Sequence, residues 1–281
     1  MDNNLGTLYV VSTPIGNLND ITNRAIKILN KVDICAAEDT RKSSQLFNAL
    51  NIETKLTSYH KFSENTKTNV LINKILEGKD VAIISDAGTP LISDPGRYLV
   101  NAAIEKGIKI VPIPGVTSAI TALSISGFNI DKFHYFGFLP RRKNERLALI
   151  KEICASGITS VIFESGKRIG NLLNEISQEL PSEVQILVAR EMTKIYETFY
   201  RGTVVQILEQ LNSTKYGTKV EFVLVISDFE KLQEDEFSEE DNRIMDLLWD
   251  SLPQKEALSL GSKILNKKRN YLYKKKIESK K

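Results

Sequence analysis

Residues 81–96 read VAIISDAGTPLISDPG, a nearly all-apolar run that gives way to a loop rich in Gly, Pro, Ser and Asp. A short apolar run of this kind reads as a strand buried on both faces. Gly88, Pro90, Pro95 and Gly96 then fix the turns of the loop behind it. The pattern recurs on both sides. A strand at 7–12 runs into TPIGNLNDIT at 13–22, and a strand at 109–113 runs into a loop that reads PIPGVTSA over 112–119.

Working outward, further strands are expected at 32–37 and 55–59. Between strands lie amphipathic segments such as 21–31, with Ile21, Ala25, Ile28, Leu29 and Val32 on one face and Asp20 as its cap. Strand alternating with helix predicts a parallel sheet covered on both faces. Gly127, Phe128 and Asn129 close this first lobe, 1–127. A second lobe, 128–228, has strands at 133–139, 160–164, 184–190, 196–201 and 220–227, with helices near 143–155, 167–179 and 204–211. Its successive strands near 186–201 predict a mixed, partly antiparallel sheet. An acidic linker, 229–241, leads to a basic helical appendage, 242–281, with helices over 240–250, 254–265 and 270–278. The fold class is therefore α/β: a parallel-sheet lobe, a mixed-sheet lobe and a small C-terminal helical appendage.

The 281 residues are 42% hydrophobic and 26% charged, the balance of a soluble globular protein. No run approaches the roughly 18 apolar residues of a membrane span, and MDNNLGTLYVV does not read as a signal peptide, so a cytoplasmic protein is expected. Cys35 and Cys154 sit in apolar runs and read as core thiols; with only His60 and His134 beside them, no metal site is expected. The net charge of +3 conceals an uneven distribution. Residues 228–246 carry nine acids against Lys231 and Arg243, whereas 263–281 carry nine Lys or Arg against Glu278. The basic end fits a solvated helix face or a contact surface for phosphate backbones. Its helices have helix-turn-helix proportions, which a plain helical cap would share.

In an open parallel sheet, ligands sit beyond the carboxyl ends of the strands, where all three Gly- and Pro-bearing loops fall. None matches GxxxxGK[ST], and no GxGxxG opens a helix after the first strand, which disfavours kinases and dinucleotide oxidoreductases. Each loop alone could be a tight turn; three at one edge point to a ligand.

VVSTPIGNLNDIT, AAEDTRKSS, ISDAGTPLISDPG and VPIPGVTSAITALSISG together closely resemble the tetrapyrrole methylase superfamily and, within it, the ribosomal RNA small-subunit methyltransferase I family. The resemblance continues through FGFLPRR, FESGKRI, AREMTKIYETFYRG and the Lys-rich end. It implies two α/β lobes with S-adenosylmethionine between them, and methylation of a cytidine ribose 2′-hydroxyl in the decoding region of 16S ribosomal RNA. Carried over by motif, the donor contacts are Pro14, Ile15, Asp86, Ala87, Thr89, Thr117 and Ser118, with Phe163, Ala189 and Val220 closing over the adenine. The small ribosomal subunit is the implied partner and a homodimer the implied assembly. Ser12 stands where many relatives carry proline, and Val220 where Gly is more usual.

Methyl transfer from a sulfonium is an in-line displacement, and a neutral ribose hydroxyl needs a positioned base or a nearby cation. Glu38, Asp39 and Arg41 supply two acceptors and one cation beyond the second strand, although Asp39 or Thr40 equally suits a helix N-cap. Lys194 and Arg190 flank Glu191, as substrate contacts or as an internal ion pair. Arg141 and Arg142 read as a grip on the RNA backbone, joined by Lys267, Lys268, Arg269 and Lys274 of the tail. His60 fits a base or a polar loop residue. Three functions compete: the ribose methyltransferase, a methylase of a tetrapyrrole or other small molecule, and a non-enzymatic RNA-binding protein. The basic tail counts against the second.

Overall fold

In the computed structural model, the described residues are 5–213, 217, 220–229, 238–265, 267, 272, 273 and 276. Strands β1 (Thr7–Val11), β2 (Ile34–Ala37), β3 (Leu56–Ser58), β4 (Val81–Ile84) and β5 (Lys109–Ile113) form a parallel sheet in the order β3-β2-β4-β1-β5. Successive side chains of a strand point to opposite faces. Val81 and Ile83 accordingly meet Leu71, Ile72 and Ile75 of α3 (Glu64–Leu76) and Leu99 and Ala103 of α4 (Arg97–Glu105). Ala82 and Ile84 meet Ala25 and Leu29 of α1 (Asn23–Lys31) and Phe47 of α2 (Thr40–Ala49). Burial on both faces is why the central strand carries no polar residue.

The next helix, α5 (Ser118–Ser124), does not return to this sheet. Ala119, Ala122 and Leu123 pack instead on Val161, Leu187, Ala189, Val223 and Val225 of the second sheet, so one apolar cluster joins the two lobes. That sheet comprises β6 (Phe133–Phe138), β7 (Thr159–Ser165), β8 (Gln185–Arg190), β9 (Thr198–Thr203) and β10 (Glu221–Ile226), ordered β6-β7-β10-β8-β9. Only β6 and β7 run parallel, which makes it the mixed sheet expected. Its far face, with Ile162, Ile186, Val188, Leu224 and Ile226, is covered by α6 (Lys143–Ser156), α7 (Ile169–Ile176) and α8 (Val204–Asn212). A β-bulge shifts the β6–β7 register between Tyr135 and Gly137, and Gly137 takes φ +59°.

Two local expectations need correction. Asp20 does not cap α1: Leu18–Asp20 form a single 3-10 turn, the chain extends again at Ile21, and Thr22 accepts the capping bond from the Ala25 N–H at 3.0 Å. The helix expected over 167–179 is confined to Ile169–Ile176; Pro181 disfavours helical geometry at Leu180.

Met1–Phe229 form one compact unit and Glu230–Lys281 another. In the second, α9 (Glu239–Ser251) opens with a capping box between Ser238 and Asp241, and α10 (Gln254–Ile264) follows. A Cβ on Gly261 would fall 2.4 Å from the Met245 sulfur, so glycine lets the two helices meet. Lys268, Arg269, Lys274 and most of the expected third helix lie outside the described residues. No helix among the described residues is long and apolar enough to cross a membrane.

Candidate active site between the two sheets

Because β4, β1 and β5 are neighbours, the three Gly- and Pro-bearing loops stand side by side at their carboxyl ends. They are stitched together. Thr13 and Gly88 exchange backbone hydrogen bonds at 2.9 and 3.0 Å. The Ser12 and Thr89 hydroxyls meet at 2.9 Å, and Thr89 donates to the Val116 carbonyl at 3.1 Å. Ser12, in place of proline, thus supplies a cross-loop bond. Gly88 takes φ +82°, and a Cβ on Gly115 would fall 2.7 Å from that of Ser12.

The second lobe meets this edge through the turn after β8. Glu191 and Thr193 adopt left-handed backbone at φ 49° and 65°, as do Leu91 and Ser93 in the 86–96 loop. Such conformations cost about 1–2 kcal/mol each outside glycine and collect at functional loops. Lys194 bridges Glu191 and Glu221 at 3.0 and 2.8 Å. Burial alone would raise the Glu191 carboxyl; the Glu221 N–H and the Lys194 ammonium outweigh it and hold it below its ordinary range. Ile15, Ser118, Ala189, Glu191, Met192, Lys194, Glu221 and Val223 enclose a cavity of about 30 Å³. Four of the candidate residues, Ile15, Ser118, Ala189 and Lys194, therefore converge. Pro14 is buried beside them, Ala87 is exposed on its loop, and Thr117 caps α5 by accepting from the Ile120 N–H at 3.2 Å. Phe163 packs edge-on against Tyr135 and Phe138, at 5.3 and 5.7 Å between centroids. Val220 is not brought to the cavity: its side chain joins the cluster on the helix-covered face.

A second cluster lies where the β2 loop adjoins that of β4. Asp86 accepts from the Asp39 N–H at 2.9 Å and from the Lys42 ammonium at 2.7 Å. Asp39 caps α2 and holds Arg41 in a two-pronged pair at 3.1 and 2.8 Å, which keeps its own carboxyl well below the usual range. Glu38 is raised, first by burial and then by the charge of Asp86. Asp94 is pushed up to about 7, again first by burial and then by Glu38. Its position in the SDPG end of the loop gave no sign of this, since the shift comes first from burial in the folded loop and then from Glu38 beyond β2. Two coupled acids, one titrating near neutrality, suit proton removal.

The other expected RNA contacts are spread out. Arg141 is exposed after β6, Arg142 is exposed and pairs with Glu145 at 3.1 Å, and Arg190 is half-buried at the end of β8. Lys267 is paired with Asp241 at 3.0 Å with its side chain only 10% exposed, so its ammonium serves the helical unit itself.

Two α/β lobes with ligand loops at one shared edge define a class of methylase. The family model described as Tetrapyrrole (Corrin/Porphyrin) Methylases matches residues 7–208. The crystal structure of uroporphyrin-III-C-methyltransferase from Thermus thermophilus shares the fold, with TM-score 0.54 and 22% identity over 79% of this chain and 94% of that one. The Ribosomal RNA small subunit methyltransferase I of Pasteurella multocida is 40% identical over 97% of each chain. Its Escherichia coli O157:H7 counterpart is 41% identical over 99% of this chain and 96% of the relative. The chain belongs to the tetrapyrrole methylase family and, within it, to the ribosomal RNA small subunit methyltransferase I group.

Proposed function

We propose that the protein transfers a methyl group from S-adenosylmethionine to the 2′-hydroxyl of a cytidine in the decoding region of 16S ribosomal RNA. It would work on the small subunit in the cytoplasm, as a homodimer. The single observation that carries the reading is the convergence of Ile15, Ser118, Ala189 and Lys194 on one interlobe cavity. The set suits the donor: Ile15, Ala189 and Val223 offer an apolar wall for a purine, and the loops offer backbone groups for its polar atoms. Pro14, Ala87, Thr89, Thr117 and Phe163 complete the donor set. About 30 Å³ holds one water, so admitting the donor requires the 191–194 turn to lift from Gly16.

The bound donor supplies the electrophilic methyl group. Glu38 and Asp94 act together as the base that accepts the hydroxyl proton, while Asp39 fixes Arg41 and Lys42 stands by Asp86 as cations for the incoming phosphodiester. Lys194 steadies the donor side of the cleft through Glu191 and Glu221. Arg141, Arg142 and Arg190 and the tail cations Lys268, Arg269 and Lys274 are the proposed grip on the RNA backbone.

The test is single-turnover transfer of labelled methyl to small ribosomal subunits. Wild type is expected to label RNA, Glu38→Gln to lose roughly 10²–10⁴ in rate, and Arg41→Ala mainly to raise the RNA concentration required. Saturable donor binding without label in RNA would leave a small-molecule methylase as the better reading.

A further inference from the structure

β6 and β7 end side by side, and beyond them the second lobe contains a cavity of about 830 Å³, separate from the interlobe one. Its lining is unusual in three respects. Glu164 is 2% exposed, yet it carries an unsatisfied acceptor. Its Oε1 accepts from the Ser165 N–H at 2.7 Å and the Ser165 hydroxyl at 3.3 Å, while Oε2 lies 3.0 Å from the Arg168 guanidinium outside hydrogen-bonding geometry. The same Arg168 nitrogen donates to the Leu139 carbonyl, at 2.9 Å. Phe138 is 59% exposed, held edge-on by Phe163. Arg141 and Lys167 are exposed, and neither forms an ion pair among the described residues.

An aromatic face open for stacking, a buried acceptor and two available cations match the three parts of a nucleotide. Unstacked bases in RNA are held on aromatic rings and read along their edges, and phosphates are held by Lys and Arg. A carboxylate accepts from the exocyclic amine of cytosine and has nothing to accept from the corresponding carbonyl of uracil. The Glu164 Oε2 has an ion pair with Arg168 but no hydrogen bond, and such a ligand would supply a donor to it. The pocket also adjoins the reacting centre: Phe163 links Phe138 to Tyr135, whose hydroxyl meets that of Ser93 at 2.6 Å, next to Asp94.

We propose that this pocket receives one unstacked cytidine nucleotide of the RNA substrate, with its base on Phe138, its amine on Glu164 and its phosphate between Arg141 and Lys167. The inference rests on the RNA-methyltransferase reading and assigns the residues that recognise the base.

The test uses full-length protein and fluorescein-labelled tetranucleotides of cytidine and of uridine, read by anisotropy, with methyl transfer to small subunits and thermal melts alongside. Phe138→Ala and the Arg141→Ala/Lys167→Ala pair are expected to weaken cytidine binding about tenfold or more. Glu164→Gln is expected to abolish the preference for cytidine over uridine. Unchanged affinity in well-folded Phe138→Ala and Arg141→Ala/Lys167→Ala variants overturns the proposal, and so does an equal loss of donor affinity. If wild type binds cytidine through these residues but transfers no methyl to subunits, the pocket stands and the functional reading fails. If transfer is normal and its KM is unchanged in both variants, the functional reading stands and the pocket fails.

Discussion

The carboxylate of Asp86, just past β4, accepts a hydrogen bond from the backbone N–H of Asp39, just past β2, at 2.9 Å. Neighbouring strands of the parallel sheet are thereby tied together beyond their ends, and the Glu38–Asp39 loop is held against the donor loops. Asp86→Ala is expected to cut the single-turnover rate by about 10², more than it weakens donor affinity, because a group that positions a base acts chiefly in the transition state. Asp86→Asn keeps an acceptor for the Asp39 N–H and is expected to lose less. Calorimetry showing that donor affinity and rate fall together in Asp86→Ala would make this carboxylate a donor contact instead.

Asp94 titrates near 7, whereas an unfolded Asp titrates near 4. Between those values the native state holds a proton that the unfolded chain has lost. Stability is therefore expected to fall as pH rises from about 4 to 7, with the Asp94 contribution fully present below that window. Asp94→Asn is expected to remove that slope from the melting temperature. The transfer rate runs the opposite way, rising with pH through about 7 in wild type and becoming nearly flat in Asp94→Asn. An unaltered pH–rate profile in that variant would assign proton removal to another group.

Gly16 faces the second lobe so closely that an added Cβ would fall 2.5 Å from Cγ of Lys194 and 2.7 Å from the Thr193 hydroxyl. Gly16→Ala is expected to hold the 191–194 turn away from the first lobe, to cost about 1–3 kcal/mol of stability by overpacking, and to strengthen donor binding because the turn is already lifted. Donor titration measures it, with Asn17→Ala, one residue along, as the control expected to bind normally.

Removal of Glu230–Lys281 is expected to leave donor affinity intact, since the donor residues all lie within Met1–Phe229. Binding to small subunits is expected to weaken and its dependence on salt to flatten, by about 0.7–0.9 in slope for each phosphate that the segment neutralises. Identical salt slopes with and without the segment would make it a structural cap.

Much of this architecture could be read from residues 81–96 alone. An all-apolar VAII run can be buried on both faces only within a covered parallel sheet, and the Gly- and Pro-bearing loop behind it follows from the need for close backbone approach at the ligand edge. Ile15, Ser118 and Ala189 follow from the family resemblance, and the structure brings them to one cavity. Asp94 was not legible, because its raised carboxyl comes first from burial and then from Glu38, which only the strand order brings near. Val220 was misplaced by strand parity: it belongs to the face of Phe222 and Leu224, opposite Val223. Thr22 displaced Asp20 as a cap because Asp20 ends a 3-10 turn and the chain extends at Ile21 before the helix begins. The burial of Glu164 was invisible for a similar reason, since it depends on how β7 packs in the folded sheet.

The bulge between Tyr135 and Gly137 sets the six residues of β6 against five of β7. Tyr135 and Phe138 consequently both lean on Phe163, although three positions along a strand should put them on opposite sides. A glycine is required there twice over, by its φ of +59° and because a Cβ would fall 2.6 Å from the Ser93 hydroxyl. Phe138 therefore owes its orientation to the length of the strand more than to its own identity. Deleting Gly137 would remove the bulge and leave Phe138 two positions from Tyr135, so both rings would stay on one side of the sheet.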